Sequence, residues 1–77
     1  MKDFVSSIVK AILESDNFEI SENEENNQLT ITILVEESQI GKIVGKEGRV
    51  INSIRCLAKI KAKSAYQNLL ITVDKLA

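Results

Sequence analysis

The chain contains no proline, tryptophan or histidine, and among its 77 residues there is one cysteine, three glycines and three aromatic side chains. Without histidine the usual zinc ligand sets cannot be assembled, so no metal and no cofactor is expected. The single thiol, Cys56, cannot close an internal disulfide and has no obvious base beside it, which predicts a buried or inert group. Of the aromatics, Phe4 and Phe18 fall at core positions, leaving Tyr66 as no platform for strong base stacking. No apolar run approaches the roughly 20 residues of a membrane span. The N-terminus mixes Asp3, Ser6, Ser7 and Lys10 into its apolar positions, unlike a secretion signal. The expectation is a cytoplasmic protein with no membrane insertion.

What is present is ordinary for a folded domain: 44% hydrophobic and 27% charged residues, too apolar for intrinsic disorder. A chain this short buries only about 60% of its unfolded surface, so one domain over residues 1–77 with a thin core is expected. The net charge of -1 conceals a strong division along the chain. Residues 1–41 carry two basic and nine acidic side chains. Residues 42–63 carry Lys42, Lys46, Arg49, Arg55, Lys59, Lys61 and Lys63 against Glu47 alone. A basic segment thus begins at the glycines, and it reads either as a solvated helix face or as the footprint of a polyanion.

Hydrophobic periodicity orders the elements. Phe4, Val5, Ile8, Val9, Ile12 and Leu13 recur at helical spacing, predicting an amphipathic helix over about residues 3–15 with Asp3 as N-cap. Phe18 and Ile20 alternate with polar residues as a short strand, and the run at 23–27, NEENN, reads as a turn. Leu29, Ile31, Ile33 and Val35 form the clearest strand, a pleated surface with one buried face. Ser38 could cap a short helix ending near Ile43. From Arg49 to about Ala65, Val50, Ile51, Ile54, Leu57, Ala58 and Ala65 share one arc of a helical wheel. Arg49, Asn52, Arg55, Lys59 and Lys63 lie opposite, and Lys61 must snorkel out of the apolar arc. Residues 68–74 read as a last strand. The order αββααβ implies an α+β two-layer sandwich, helices on one face of a three-stranded sheet.

All three glycines lie in IGKIVGKEGRVI, residues 40–51. A Walker loop fails twice, since Gly41 to Gly45 is one residue short and Glu47 stands where Ser or Thr would hold magnesium. A dinucleotide fingerprint fails at Ile43, and no nucleophile, base and orienting group recur at useful spacing, so no enzyme is expected. Gly45 and Gly48 instead bracket two residues between a short helix and a long one. Such a turn leaves backbone uncovered, and the second helix aims its N-terminal amides and positive dipole end at it. Lys46 and Arg49 add mobile positive charge there, and the favoured ligand is a polyanion.

The stretch IGKIVGKEGRVINSI, residues 40–54, resembles the core of a KH domain, whose hallmark is a hydrophobic-G-x-x-G-x-x-hydrophobic run at a helix-turn-helix. Here Val44 precedes the tetrapeptide Gly45, Lys46, Glu47, Gly48, and Ile51 and Ile54 follow it. The element order resembles the type II topology with its mixed sheet, and the likeness extends over nearly the whole chain, as in the small bacterial RNA-binding proteins of the KhpA type. The resemblance implies a non-catalytic module that clamps about four nucleotides of single-stranded RNA and acts post-transcriptionally. Carried over, Gly45, Lys46, Glu47 and Gly48 would touch phosphate, with Glu47 limiting affinity by repulsion. Arg49 and Lys42 flank the turn as further phosphate contacts. Ile40, Ile43 and Val44 read either as the groove floor or as ordinary core. Asn52, Arg55, Lys59 and Lys63 read either as a solvated face or as an extended RNA track. The resemblance also implies a homodimer, or pairing with a second, larger KH protein of the Jag type. The alternative it raises is a protein-interaction subunit in control of cell shape or division.

Overall fold

A computed structural model describes residues 1–63 and 68–76. The apolar stripe at the N-terminus forms α1, Lys2–Leu13, and buries Val5, Val9 and Leu13. Met1 rather than Asp3 is its N-cap, with no side-chain capping bond, and Asp3 sits in the first turn, where a carboxylate favours the helix dipole. The helix stops at Glu14, which takes a left-handed conformation (φ 54°) as its amide donates to the Lys10 carbonyl.

Two eight-residue strands follow, β1 (Phe18–Glu25) and β2 (Gln28–Val35), paired antiparallel from Phe18↔Val35 to Glu25↔Gln28. The polar run at 23–27 is therefore only partly a turn. Asn23, Glu24 and Glu25 extend β1, because a hydrogen-bonding partner strand stabilises extended backbone even where every side chain faces water. The turn is confined to Asn26 (φ 50°) and Asn27 (φ 64°), the positive-φ pair that suits a two-residue hairpin and that asparagine tolerates. In β2, Leu29, Ile31, Ile33 and Val35 are buried and the residues between them are half-buried, as alternation predicts.

After a 3-10 turn at Glu37–Gln39 comes the short helix α2, Ile40–Val44, and then the long helix α3, Arg49–Ala62. Ser38 does not cap α2; its N-cap is Gln39, with no side-chain bond. The last strand, β3 (Asn68–Lys75), pairs parallel with β2 from Gln28↔Asn68 to Val35↔Lys75. The sheet order is β1-β2-β3, so α2 and α3 form the crossover that a parallel pair requires. The fold is α+β, a type II KH arrangement with a mixed three-stranded sheet. Its core joins Val5, Val9 and Leu13 of α1 and Ile20 of β1 to the inward row of β2, to Ile43, Ile51, Ile54 and Ala58, and to Ile71 of β3. Each fully buried isoleucine or leucine contributes about 1.5–3 kcal/mol by leaving water, which makes the four inward residues of β2 the strongest single contribution from any element.

Three expectations about side chains are corrected. Leu57 is 47% exposed and Ile60 71% exposed, because α3 is fully covered only along Ile51, Ile54 and Ala58. Cys56 is exposed, so of the two alternatives, buried or inert, the first does not hold. Phe4 is half-buried, and its ring lies 5.9 Å beneath the Lys61 ammonium, a cation–π contact that gives the snorkelling lysine a resting place. Ala65 and Tyr66 lie outside the described residues.

Candidate nucleic-acid interface

The connection between α2 and α3 is built on backbone that only glycine supplies. Gly45 adopts φ 77°, ψ 176°, a region essentially closed to other residues. A Cβ there would come within 2.4 Å of Val50 Cγ2 and 2.9 Å of the Val50 backbone nitrogen. The turn is thus packed directly against the first turn of α3. Gly48 also has positive φ (75°), but a Cβ on it would meet nothing nearer than 3.7 Å, so its requirement is conformational rather than spatial. Gly41 has open space around it and sits in ordinary helix, so it has no such requirement. Between the two glycines, Glu47 is itself left-handed (φ 55°, ψ 27°), a strained position for a residue with a side chain.

The charges around this turn are free to move. Lys46, Glu47 and Arg49 are all exposed. Arg49 Nη2 lies 3.7 Å from Glu47 Oε2, but both side chains are more than 70% exposed, and such a pair contributes little and is screened by salt. Helix α3 begins at Gly48 with no side-chain cap and no acidic residue in its first turn, so no side chain occupies its first amides. Lys42 is exposed on α2 but lines a different cleft, with Leu13, Ser15, Asn17, Glu36 and Gln39.

The apolar candidates separate. Ile43 is wholly buried in the core, and Ile40 and Val44 are half-buried and pack against it. A groove does exist, one side of α3 away: a cleft of about 200 Å³ between α3 and β3, lined by Arg55, Lys59, Leu69, Leu70, Ile71 and Thr72. Its apolar wall comes from a strand that sequence reasoning left out of the site. One signal was available: Leu70, 49% exposed, falls out of phase with the inward row of Leu69, Ile71 and Val73. Asn52 and Arg55 do stand together on α3, yet Arg55 is already engaged, its Nε (3.2 Å) and Nη2 (3.0 Å) donating to the Ile71 carbonyl and its Nη1 (3.1 Å) to Asn52 Oδ1. Lys63 is exposed at the end of α3 and does not line the cleft. A further cleft, at the hairpin tip, is lined by Asn23, Glu25, Asn26, Gln28 and Thr30, none of them positively charged.

The family model of the KhpA/KhpB KH domain matches residues 2–73. Among similar proteins is an "RNA-binding protein KhpA" of Caldanaerobacter subterraneus, 28% identical over 74 residues, 95% of this chain and 99% of that one. Another of that name, from Chlamydia trachomatis, is 38% identical over 58 residues, 74% of each chain. A third, from Halalkalibacterium halodurans, is 32% identical over 75 residues, 96% of each. Among solved structures, the crystal structure of Aquifex aeolicus Era bound to GDP.AlF4- superposes with a TM-score of 0.56 over 94% of this chain and 31% of that one. At 22% identity that likeness is one of fold alone.

Proposed function

The chain belongs to the KhpA/KhpB KH-domain family, and from that premise we propose that it is an RNA-binding protein which holds the backbone of about four nucleotides of single-stranded RNA at the turn Gly45–Gly48. One observation carries the reading. At Gly45 no side chain fits, so the turn is bare backbone at the start of α3, where no side chain caps the helix although the Gly48 and Arg49 amides bond back to the Gly45 and Lys46 carbonyls, and Lys46 and Arg49 are exposed next to it. Hydrogen-bond donors and positive charge converge there, as a phosphate requires. Glu47 opposes the same phosphate and keeps binding weak. The bases then run along the α3/β3 cleft, which lies about 10 Å further along the helix at Arg55 by its rise of 1.5 Å per residue. Its aliphatic wall lacks the stacking strength of an aromatic platform and reads no base edge by hydrogen bonding, so affinity and sequence discrimination are both modest, and the protein acts post-transcriptionally. Lys42 contributes through the general field rather than by contact.

The test replaces Lys46 and Glu47 with two aspartates and follows binding of short single-stranded RNA across salt. The reading predicts a loss of tenfold or so and a log–log salt slope shallower by roughly 0.7 per phosphate contact removed. Unchanged affinity in a folded variant defeats it.

A second reading, a subunit that pairs with another KH protein or with its own copy, is favoured by Leu57 and Ile60, large apolar side chains left open on α3. Co-purification with and without nuclease separates the two. A partnership that resists nuclease, with no RNA recovered by crosslinking, favours pairing over RNA binding.

A further inference from the structure

Strand β3 is an edge strand, and the direction of its free backbone groups follows from its pairing. The amides of Asn68 and Leu76 donate back toward the hairpin, to the carbonyls of Asn27 (3.4 Å) and Val35 (2.9 Å). Because N–H and C=O groups alternate along a strand, Leu69, Ile71 and Val73 present theirs to the open edge. An open edge is both a template for another strand and a wall free to shift. At its middle, the Ile71 carbonyl is taken by two nitrogens of the Arg55 guanidinium, and Asn52 Oδ1 holds the third. Among the described residues these two are the only side-chain hydrogen bonds from a helix to the sheet.

We propose that Arg55 is a positioning residue: it straps β3 to α3 and thereby fixes the wall of the cleft, rather than contributing its charge to a phosphate. A planar fork that donates two bonds to one carbonyl, with its remaining nitrogen anchored on the same helix, is a geometric device that lysine cannot reproduce. The strap spans sixteen residues of sequence, from the middle of α3 to the middle of β3. Arg55 lines the cleft together with Lys59 and the run Leu69 to Thr72. That the cleft receives bases rests on the RNA-binding reading; the strap itself does not.

The experiment separates charge from geometry with R55K, which keeps the charge and loses the fork, and R55Q, which loses both. In RNA-free protein, hydrogen exchange at the Leu70 and Thr72 amides, which bond inward to β2, should quicken about fivefold in both variants, with N52A moving the same way by less. Affinity for a short oligouridylate should fall about fivefold in R55K and R55Q alike, the log–log salt slope of both staying at the wild-type value. Unchanged exchange in both variants overturns the strap. So does R55K binding as wild type while R55Q loses roughly 0.7 of slope, the mark of a phosphate contact. If wild-type protein fails to bind the oligouridylate even at low salt, the RNA-binding reading falls, and the exchange measurement still decides the strap.

Discussion

Two turns of this chain place residues at positive φ and solve the problem differently. The hairpin turn uses Asn26 and Asn27, whereas the turn between α2 and α3 uses Gly45 and Gly48 with a left-handed Glu47 between them. At the hairpin tip only dihedral angles matter, because both residues are exposed and asparagine reaches the left-handed region at small cost. At Gly45 the chain must also pass within contact of Val50, where a Cβ has no room. The first turn reverses a chain; the second also packs its backbone directly against the first turn of α3. Around them the charges divide in the same way, with Glu19, Glu22, Glu24 and Glu25 on β1 and Lys46 and Arg49 at the glycines. Repulsion from β1 and attraction at the turn would orient an RNA strand toward one side of the molecule.

Substitutions at these turns should rank by whether space, dihedral angle or neither is at stake. Gly45→Ala should lower unfolding stability by 3 kcal/mol or about that, measured in urea, since it combines a Gly-only conformation with overlap against Val50. Gly48→Ala, with room for its Cβ, should cost about 1–2 kcal/mol, and Gly48→Asn less, since only the left-handed dihedral resists. An equal cost at Gly45 and Gly48 would break the distinction drawn here. Gly41→Ala should raise stability by about 0.5–1 kcal/mol, the helix propensity gain at an unobstructed position. Asn27→Gly should shift stability by no more than about 0.5 kcal/mol in either direction, the relief of positive φ offsetting the added freedom of the unfolded chain.

Much of the fold was legible because it follows from patterns over neighbouring residues. The alternation Leu29, Ile31, Ile33, Val35 declared its buried face, and the three- and four-residue steps of α1 and α3 declared theirs. The glycine pair marked the candidate site. What misled was the extent of cover. A helical wheel gives the direction of an apolar arc but not the width of the surface that packs on it, which is why Leu57 was expected inside and lies outside. In the same way Asn23 to Glu25 read as a turn, because their strand character comes from pairing with Gln28 to Thr30 and not from their own side chains. The candidate site was proposed from its turn alone and without the cleft, since Leu69 to Thr72 follow the glycines by more than twenty residues.

The amino-acid sequence by itself determined the order of elements, the inward rows, the place of the strained turn and the separation of charge, because all of these rest on local dihedral preference and periodicity. The resemblance implied a mixed sheet, but only the tertiary structure decided the register of β3 beside β2 at the edge of the sheet, and so that Arg55 meets the Ile71 carbonyl and a cleft opens between them. The physical reason is that burial has no direction of its own: an apolar face specifies that it will be covered, while the partner that covers it is chosen by the packing of the whole chain.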